Sequence, residues 1–216
     1  MSFTPEILLQ RLMLLIPLML SLTVHEWAHA WSANRLGDDT AERMGRLSLN
    51  PLVHVDLLGT IILPLLGIPF GWAKPVPIDP TRFRRSIRMG TGMMITASAG
   101  PISNFVLAVV ATVLIALMNR FAPELSLHGT PTRDLLEIFI VVNVALGLFN
   151  LIPVPPLDGS RIVEGVLPRR FQAGWEGFKR FAPFALLAVF WFGPALIAVP
   201  RSYTMLMLNR LLVFLS

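Results

Sequence analysis

His25, Glu26 and His29 form the pentapeptide His-Glu-Trp-Ala-His. On a helix, residues i and i+4 are offset by about 40° and about 6 Å, so the two imidazoles can face one metal ion. Glu26 falls beside them, within reach of a metal-bound water, as a general base would. A pattern with three specified positions also recurs by chance, so its surroundings matter. It lies within Ile7 to Leu36, a stretch otherwise apolar enough to cross a membrane. Charged groups cost roughly 3 kcal/mol each at the centre of a membrane helix, so ionisable neighbours there point to function.

The elements that must position these groups belong to a membrane protein. Of 216 residues, 54% are hydrophobic and 14% charged, and the mean hydropathy is +0.66. There is no cysteine, so a metal must be held by histidine and carboxylate rather than thiolate. The formal charge of +5 comes from arginines next to apolar spans. That pattern fits membrane topology and argues against a nucleic-acid partner.

Apolar runs of bilayer length predict an all-α polytopic membrane domain over 1–216. Three core helices are expected at about 7–36, 90–119 and 135–158. One or two further membrane helices are expected at about 181–199 and 203–215. The first run begins after Glu6, has no basic leader and continues into the His-Glu motif, so it reads as a retained span rather than a cleaved signal.

Arginine placement orients the bundle. Arg43, Arg46, Lys74, Arg82, Arg84, Arg85 and Arg88 follow the first span, and Arg161, Arg169, Arg170, Lys179 and Arg180 follow the third. Both groups are expected in the cytoplasm, with the N-terminus outside, in a bacterial-type cytoplasmic membrane. His25, about 27 Å along the helix from Ile7, then lies toward the cytoplasmic side. The segment of about 43–80 differs from its flanks, because Gly59, Pro64, Gly67 and Pro69 interrupt Leu57 to Phe70. It is expected to form a small membrane-associated β-hairpin or re-entrant piece beside the site, whose edge could pair with an extended peptide. An ordinary loop on the headgroups is the alternative.

A catalytic zinc site needs a third protein ligand and an open position for water. His54, Asp56, His128 and Asp158 are the candidates. His128 falls in the outer loop, on the wrong side. Asp158 ends Asn150-Leu-Ile-Pro-Val-Pro-Pro-Leu-Asp158-Gly159, and Pro153, Pro155 and Pro156 should unwind the chain so that the carboxylate turns toward the metal. His54 and Asp56 could gate the site or orient a ligand; equally, Asp56 could cap the run that begins at Leu57. Asn104, Asn143 and Asn150 are candidates to line a polar cavity, and Asn143 suits helix-to-helix hydrogen bonding.

Three elements in this order resemble the site-2 protease family of intramembrane zinc metalloproteases: His25-Glu26-Trp27-Ala28-His29, Gly100-Pro101-Ile102-Ser103-Asn104, and Asn150 through Asp158-Gly159. The resemblance covers roughly residues 7–165 and is to the minimal members, with no PDZ domain between the core helices and no nucleotide-sensing domain after them. It implies one Zn2+ held by His25, His29 and Asp158, with Glu26 as general base. It also implies that Asn104 and Asn150 hold the substrate backbone or the tetrahedral intermediate. The implied substrate is a transmembrane protein cut within or near its span in the lipid bilayer. A metal-binding transporter or channel, or a silent relative that sequesters membrane helices, are the alternatives. Nothing in the sequence bears on oligomeric state.

Overall fold

The computed structural model describes residues 4–67 and 71–216, apart from the side chain of Pro5. Helix α1, Pro5–Leu36, begins at Thr4, whose side chain accepts a hydrogen bond from the Ile7 N–H. It ends at Gly37, whose φ of 114° suits glycine and lets the chain turn back with the Asp38 N–H on the Ala33 carbonyl. A short helix α2, Thr40–Arg43, follows. The connection to the next long helix then contains helical turns at Pro51–Val53, Leu57–Ile62, α3 (Leu63–Leu65) and Pro80–Arg82. Helix α4, Met89–Phe121, is the centre of the bundle. After it come α5 (Pro131–Asn150), α6 (Asp158–Val166), α7 (Arg169–Arg180) and α8 (Ala182–Leu215).

Helix α4 packs against α1, α5, α6 and α8. Its buried face is mostly small: Gly92, Ala97, Gly100, Ala108, Ala111 and Ala116. In lipid, helices gain little by hiding apolar surface from one another, so close approach across small residues supplies the cohesion. Ala108, Ala111 and Ile115 meet Ile140 and Val144 of α5 and Leu208 of α8 in the largest apolar cluster. Large apolar side chains such as Leu9, Ile16, Val106, Leu114, Trp191 and Phe192 face outward, as lipid-facing positions should. Among the described residues, three helices are long and apolar enough to cross a membrane: Glu6–Leu36, Met89–Phe121 and Ala182–Leu215. Helix α5 is not among them, because Arg133, Asp134 and Glu137 occupy its first turns.

The expected β-hairpin is corrected: among the described residues no strand forms. Residues Ile68 to Phe70 of that segment lie outside the described residues. Leu57–Ile62 is instead a wide helical turn capped by Asp56, whose carboxylate accepts from the Gly59 N–H at 2.7 Å. Residues 71–79 have no regular secondary structure, and their hydrogen-bond partners are not another strand. The Trp72 carbonyl accepts from the Thr60 hydroxyl at 2.7 Å, the Lys74 N–H donates to the His54 carbonyl at 2.8 Å, and the Asp79 N–H donates to the Asp38 carboxylate at 2.7 Å. Pro75 and Pro77 have no N–H, which removes the donors a ladder would need. A Cβ at Gly59 would run into the Trp72 ring and one at Gly71 into the Gly59 carbonyl, so two glycines let this segment lie flat on the turn. We refer to residues 71–79 as the strap.

At the C-terminus, the two expected helices are one. Helix α8 continues through Pro194 and Pro200 for 34 residues. Because the chain has no cysteine, single cysteines carrying spin labels at 196–206 can be placed cleanly. Their mobility and oxygen accessibility should follow an unbroken 3.6-residue period; a flat, water-accessible stretch at 199–203 would contradict the continuous helix.

Candidate metal centre

The i,i+4 spacing does bring both imidazoles to one side of α1. The Nε2 atoms of His25 and His29 are 3.0 Å apart, with the rings edge to face. The third group arrives from α6. Helix α5 ends at Asn150, the chain turns through Leu151 to Leu157, and Asp158 is the first residue of the next helix rather than the last of the third core helix. Gly159 allows this turn to close, since a Cβ there would collide with the carbonyl groups of Leu151 and Ile152. Gly165 in turn lets α6 lie against Gly90 and Met94 of α4. The Asp158 Oδ2 thus sits 3.2 Å from the His25 Nε2 and 3.3 Å from the His29 Nε2. Gly100 of α4 forms the floor: a Cβ at this position would collide with both imidazole rings.

Hydrogen bonds around the site assign the protons. The Phe139 carbonyl can only accept, so the Asn143 Nδ2 donates to it at 2.8 Å, and also to the Ser21 hydroxyl at 2.8 Å. The Asn143 Oδ1 therefore accepts, at 2.9 Å, from the Asn104 Nδ2. That leaves the Asn104 Oδ1 as acceptor for the His25 Nδ1 at 2.7 Å. The Thr96 carbonyl likewise obliges the His29 Nδ1 to donate, at 2.8 Å. When both imidazoles are neutral, as metal ligation requires, each carries its proton on Nδ1 and both Nε2 lone pairs face the Asp158 carboxylate. Its Oδ2 is buried with no hydrogen bond. Three lone-pair donors about 3 Å apart with no proton between them repel one another unless a cation lies among them.

The dimensions suit zinc. A tetrahedral ion with bonds of about 2.0–2.1 Å spaces its ligand atoms about 3.3 Å apart, and the three edges here are 3.0, 3.2 and 3.3 Å. Two imidazoles and a carboxylate are a donor set that catalytic zinc uses, leaving a fourth position open. Among the described residues, this is the group of histidine and acidic side chains that could hold a metal.

The other candidates fall in different places. Glu26 is half-buried beside the ligands, and its Oε2 accepts from the Val76 N–H of the strap at 2.9 Å. Asn104 is wholly buried with its amide oxygen on His25 and its amide nitrogen on Asn143, so the expected substrate contact is not open to it in this structure. Asn150 is half-buried at the end of α5, where its Nδ2 donates to the Leu146 carbonyl at 3.1 Å. Asn143 makes the helix-to-helix bonds its position suggests. His54 is not part of the metal group; its Nε2 bonds the Ser48 carbonyl at 2.7 Å and its own carbonyl holds the strap. Asp56 caps the helical turn, the role that its position before Leu57 suggests. His128 is exposed beside Glu137 and is not part of the metal group.

Ser21, Thr96, Arg46 and Val76 are participants that the sequence reading passed over. Only Ser21 carries a readable signal, a hydroxyl four residues before His25 on the same helix face. Outer partners of zinc-bound histidine typically contribute 10- to 100-fold in metal affinity. Asn104→Ala should therefore weaken zinc binding about 10- to 100-fold in a chelator-competition titration, and Asn143→Ala should weaken it less. Unchanged affinity in Asn104→Ala would contradict the assignment of the His25 proton.

The chain is similar to known proteins over most of its length. The family model described as Peptidase family M50 matches residues 125–190. YwhC of Bacillus subtilis (strain 168) is 39% identical over 178 residues, which is 82% of this chain and 79% of that protein. Rip2 of Mycolicibacterium smegmatis is 30% identical over 181 residues, 82% of this chain and 66% of Rip2. Both are named for the zinc metalloprotease class. The zinc metalloprotease MJ0392 of Methanocaldococcus jannaschii is 24% identical over 203 residues, 94% of this chain, which spans less than half (46%) of that longer protein. No solved structure matches. With a two-histidine, one-carboxylate group on apolar helices and relatives of this kind, the chain belongs to peptidase family M50, the site-2 protease family of zinc metalloproteases.

Proposed function

We propose that this integral membrane zinc metalloprotease hydrolyses peptide bonds within or near the transmembrane segments of other membrane proteins. The observation that carries the reading is the convergence of the His25 Nε2, the His29 Nε2 and the Asp158 Oδ2 on one point, with both histidines on a helix long and apolar enough to cross a membrane. In this proposal these three residues are the zinc ligands. Bound zinc supplies Lewis acidity, lowering the pKa of a water and polarising a carbonyl.

The chain's own groups do the rest. Glu26 takes a proton from the attacking water and returns it to the nitrogen of the departing amine. Its Oε2 is occupied by the Val76 N–H, so the Oε1 is the oxygen free for that transfer. Asn104 and Thr96 keep the imidazole protons on Nδ1 and so keep the metal-facing lone pairs available. Asn150, at the mouth of the turn that delivers Asp158, is the polar contact for the substrate backbone. A helix must unwind locally before its peptide bond can meet the site, because an intact helix buries its carbonyls in its own hydrogen bonds.

Arginine and lysine in the segments after α1 and α5 support an orientation with the site toward the cytoplasm and the N-terminus outside. The whole chain acts as one membrane-embedded unit whose partners are the bilayer and a membrane-spanning substrate.

The test is cleavage of single-span membrane proteins by the purified chain in liposomes, with products mapped by mass spectrometry. Glu26→Gln should retain zinc and lose activity by about 100- to 10,000-fold, the range a general base contributes. Equal cleavage by that variant would contradict the assigned base. Products cut only in soluble tails would contradict the intramembrane substrate.

A further inference from the structure

We infer that Arg46 is a positioning residue for Glu26 and acts through a single peptide unit of the strap, the one joining Pro75 to Val76. The inference rests on the reading of Glu26 as general base and adds what aims it. Arg46 is 7% exposed, an unusual state for an arginine. Gly45 reverses the chain in front of it with φ 66°, and the Arg46 N–H bonds the Ala41 carbonyl at 2.8 Å. Its Nη2 donates to the Lys74 carbonyl at 2.5 Å and reaches the Pro75 carbonyl at 3.4 Å. The Pro75 carbonyl and the Val76 N–H belong to the same planar, trans-type unit and point in opposite directions. The guanidinium therefore holds one end of that unit while the Glu26 Oε2 accepts from the other at 2.9 Å.

Three features make this more than incidental packing. Pro75 and Pro77 flank Val76, so its N–H is the sole backbone donor in the triplet and nothing adjacent competes for the carboxylate. Val76 itself is buried, with Ala30 and Ala41, which fixes the height of the strap over α1. A cation at the carbonyl end polarises the peptide and strengthens its N–H as a donor. The consequence for Glu26 is specific. One carboxylate oxygen is held, the side chain loses its rotamer freedom, and the other oxygen is directed to proton transfer. The strap is also tied at Trp72, Lys74 and Asp79; Arg46 holds the Lys74 and Pro75 carbonyls between the outer two.

The experiment compares the full chain and its variants in lipid by residue-resolved amide exchange, zinc content and steady-state cleavage of a single-span substrate. The Val76 amide should be protected in the wild type and in Glu26→Gln, which keeps an acceptor, and should exchange at least about tenfold faster in Arg46→Ala. In Arg46→Ala, kcat should fall about 10- to 100-fold, the usual effect of an outer positioning group, with KM and zinc content unchanged. Arg46→Lys should recover much of the loss. If Arg46→Ala fails to fold, an amide-to-ester replacement at Val76, which removes the N–H donor and leaves the buried side chain in place, should lower kcat in the same way with zinc retained. Unchanged Val76 exchange in Arg46→Ala, or a kcat loss explained by loss of zinc, would overturn the inference. If Glu26→Gln cleaves normally while Val76 exchange still depends on Arg46, the base assignment falls and the strap contact stands.

Discussion

Everything in this molecule is arranged around three lone pairs that would repel each other without a cation. The His25 Nε2, the His29 Nε2 and the Asp158 Oδ2 meet at 3.0–3.3 Å in a buried setting. Without metal, an extra proton on one Nε2, donated to the Asp158 Oδ2, relieves the repulsion while each Nδ1 keeps its own acceptor; a metal ion takes that proton's place. The burial of a carboxylate oxygen without a hydrogen bond is costly for the same reason. A metal ion converts that cost into binding energy, and zinc fits the spacing and the donor types.

Holding such a site in lipid sets demands on the bundle. Water cannot rescue a misplaced polar group there, so each must be matched internally. The chain Phe139, Asn143, Asn104, His25 does this across three helices with each donor and acceptor used once or more. Ser21 closes it by accepting from Asn143 and donating to the Pro17 carbonyl at 2.6 Å. Small residues along α4 bring the helices close enough for those bonds, and Gly100 makes room for the rings themselves. The far end of the bundle follows the same rule: buried Arg133 bonds Glu137 at 2.6 Å, the Asn119 amide oxygen at 3.2 Å and the Ser126 carbonyl at 3.4 Å.

The parts that were legible in the sequence are those written in local spacing. His25 and His29 are four apart on a helix, and Asp158 follows a proline-rich break that had to end a helix near the same depth. Glu26 sits where the pattern puts a base. The apolar runs located α1, α4 and the start of α8. What was not legible depends on tertiary partners. Asn104 reads as a cavity residue by composition, yet its amide is consumed by His25 and Asn143. The segment of about 43–80 reads as a β-hairpin or re-entrant piece, but the bonds of the strap within it go to the His54 carbonyl, the Thr60 hydroxyl and the Asp38 and Glu26 carboxylates, none adjacent in sequence. The runs at about 181–199 and 203–215 read as one or two helices, and the structure has a single helix that runs through Pro200; neighbouring helices and local side chains re-satisfy such positions in membranes.

The central claim is that one zinc ion is held by two imidazoles and one carboxylate. X-ray absorption at the zinc edge on the purified chain tests it directly. The expected first shell is two imidazole nitrogens at about 2.0–2.1 Å with oxygen at about 2.0–2.2 Å completing it. The imidazole scattering should fall to one ring in His29→Ala and stay at two in His54→Ala. A shell of three imidazoles, or one that survives His29→Ala unchanged, would contradict it.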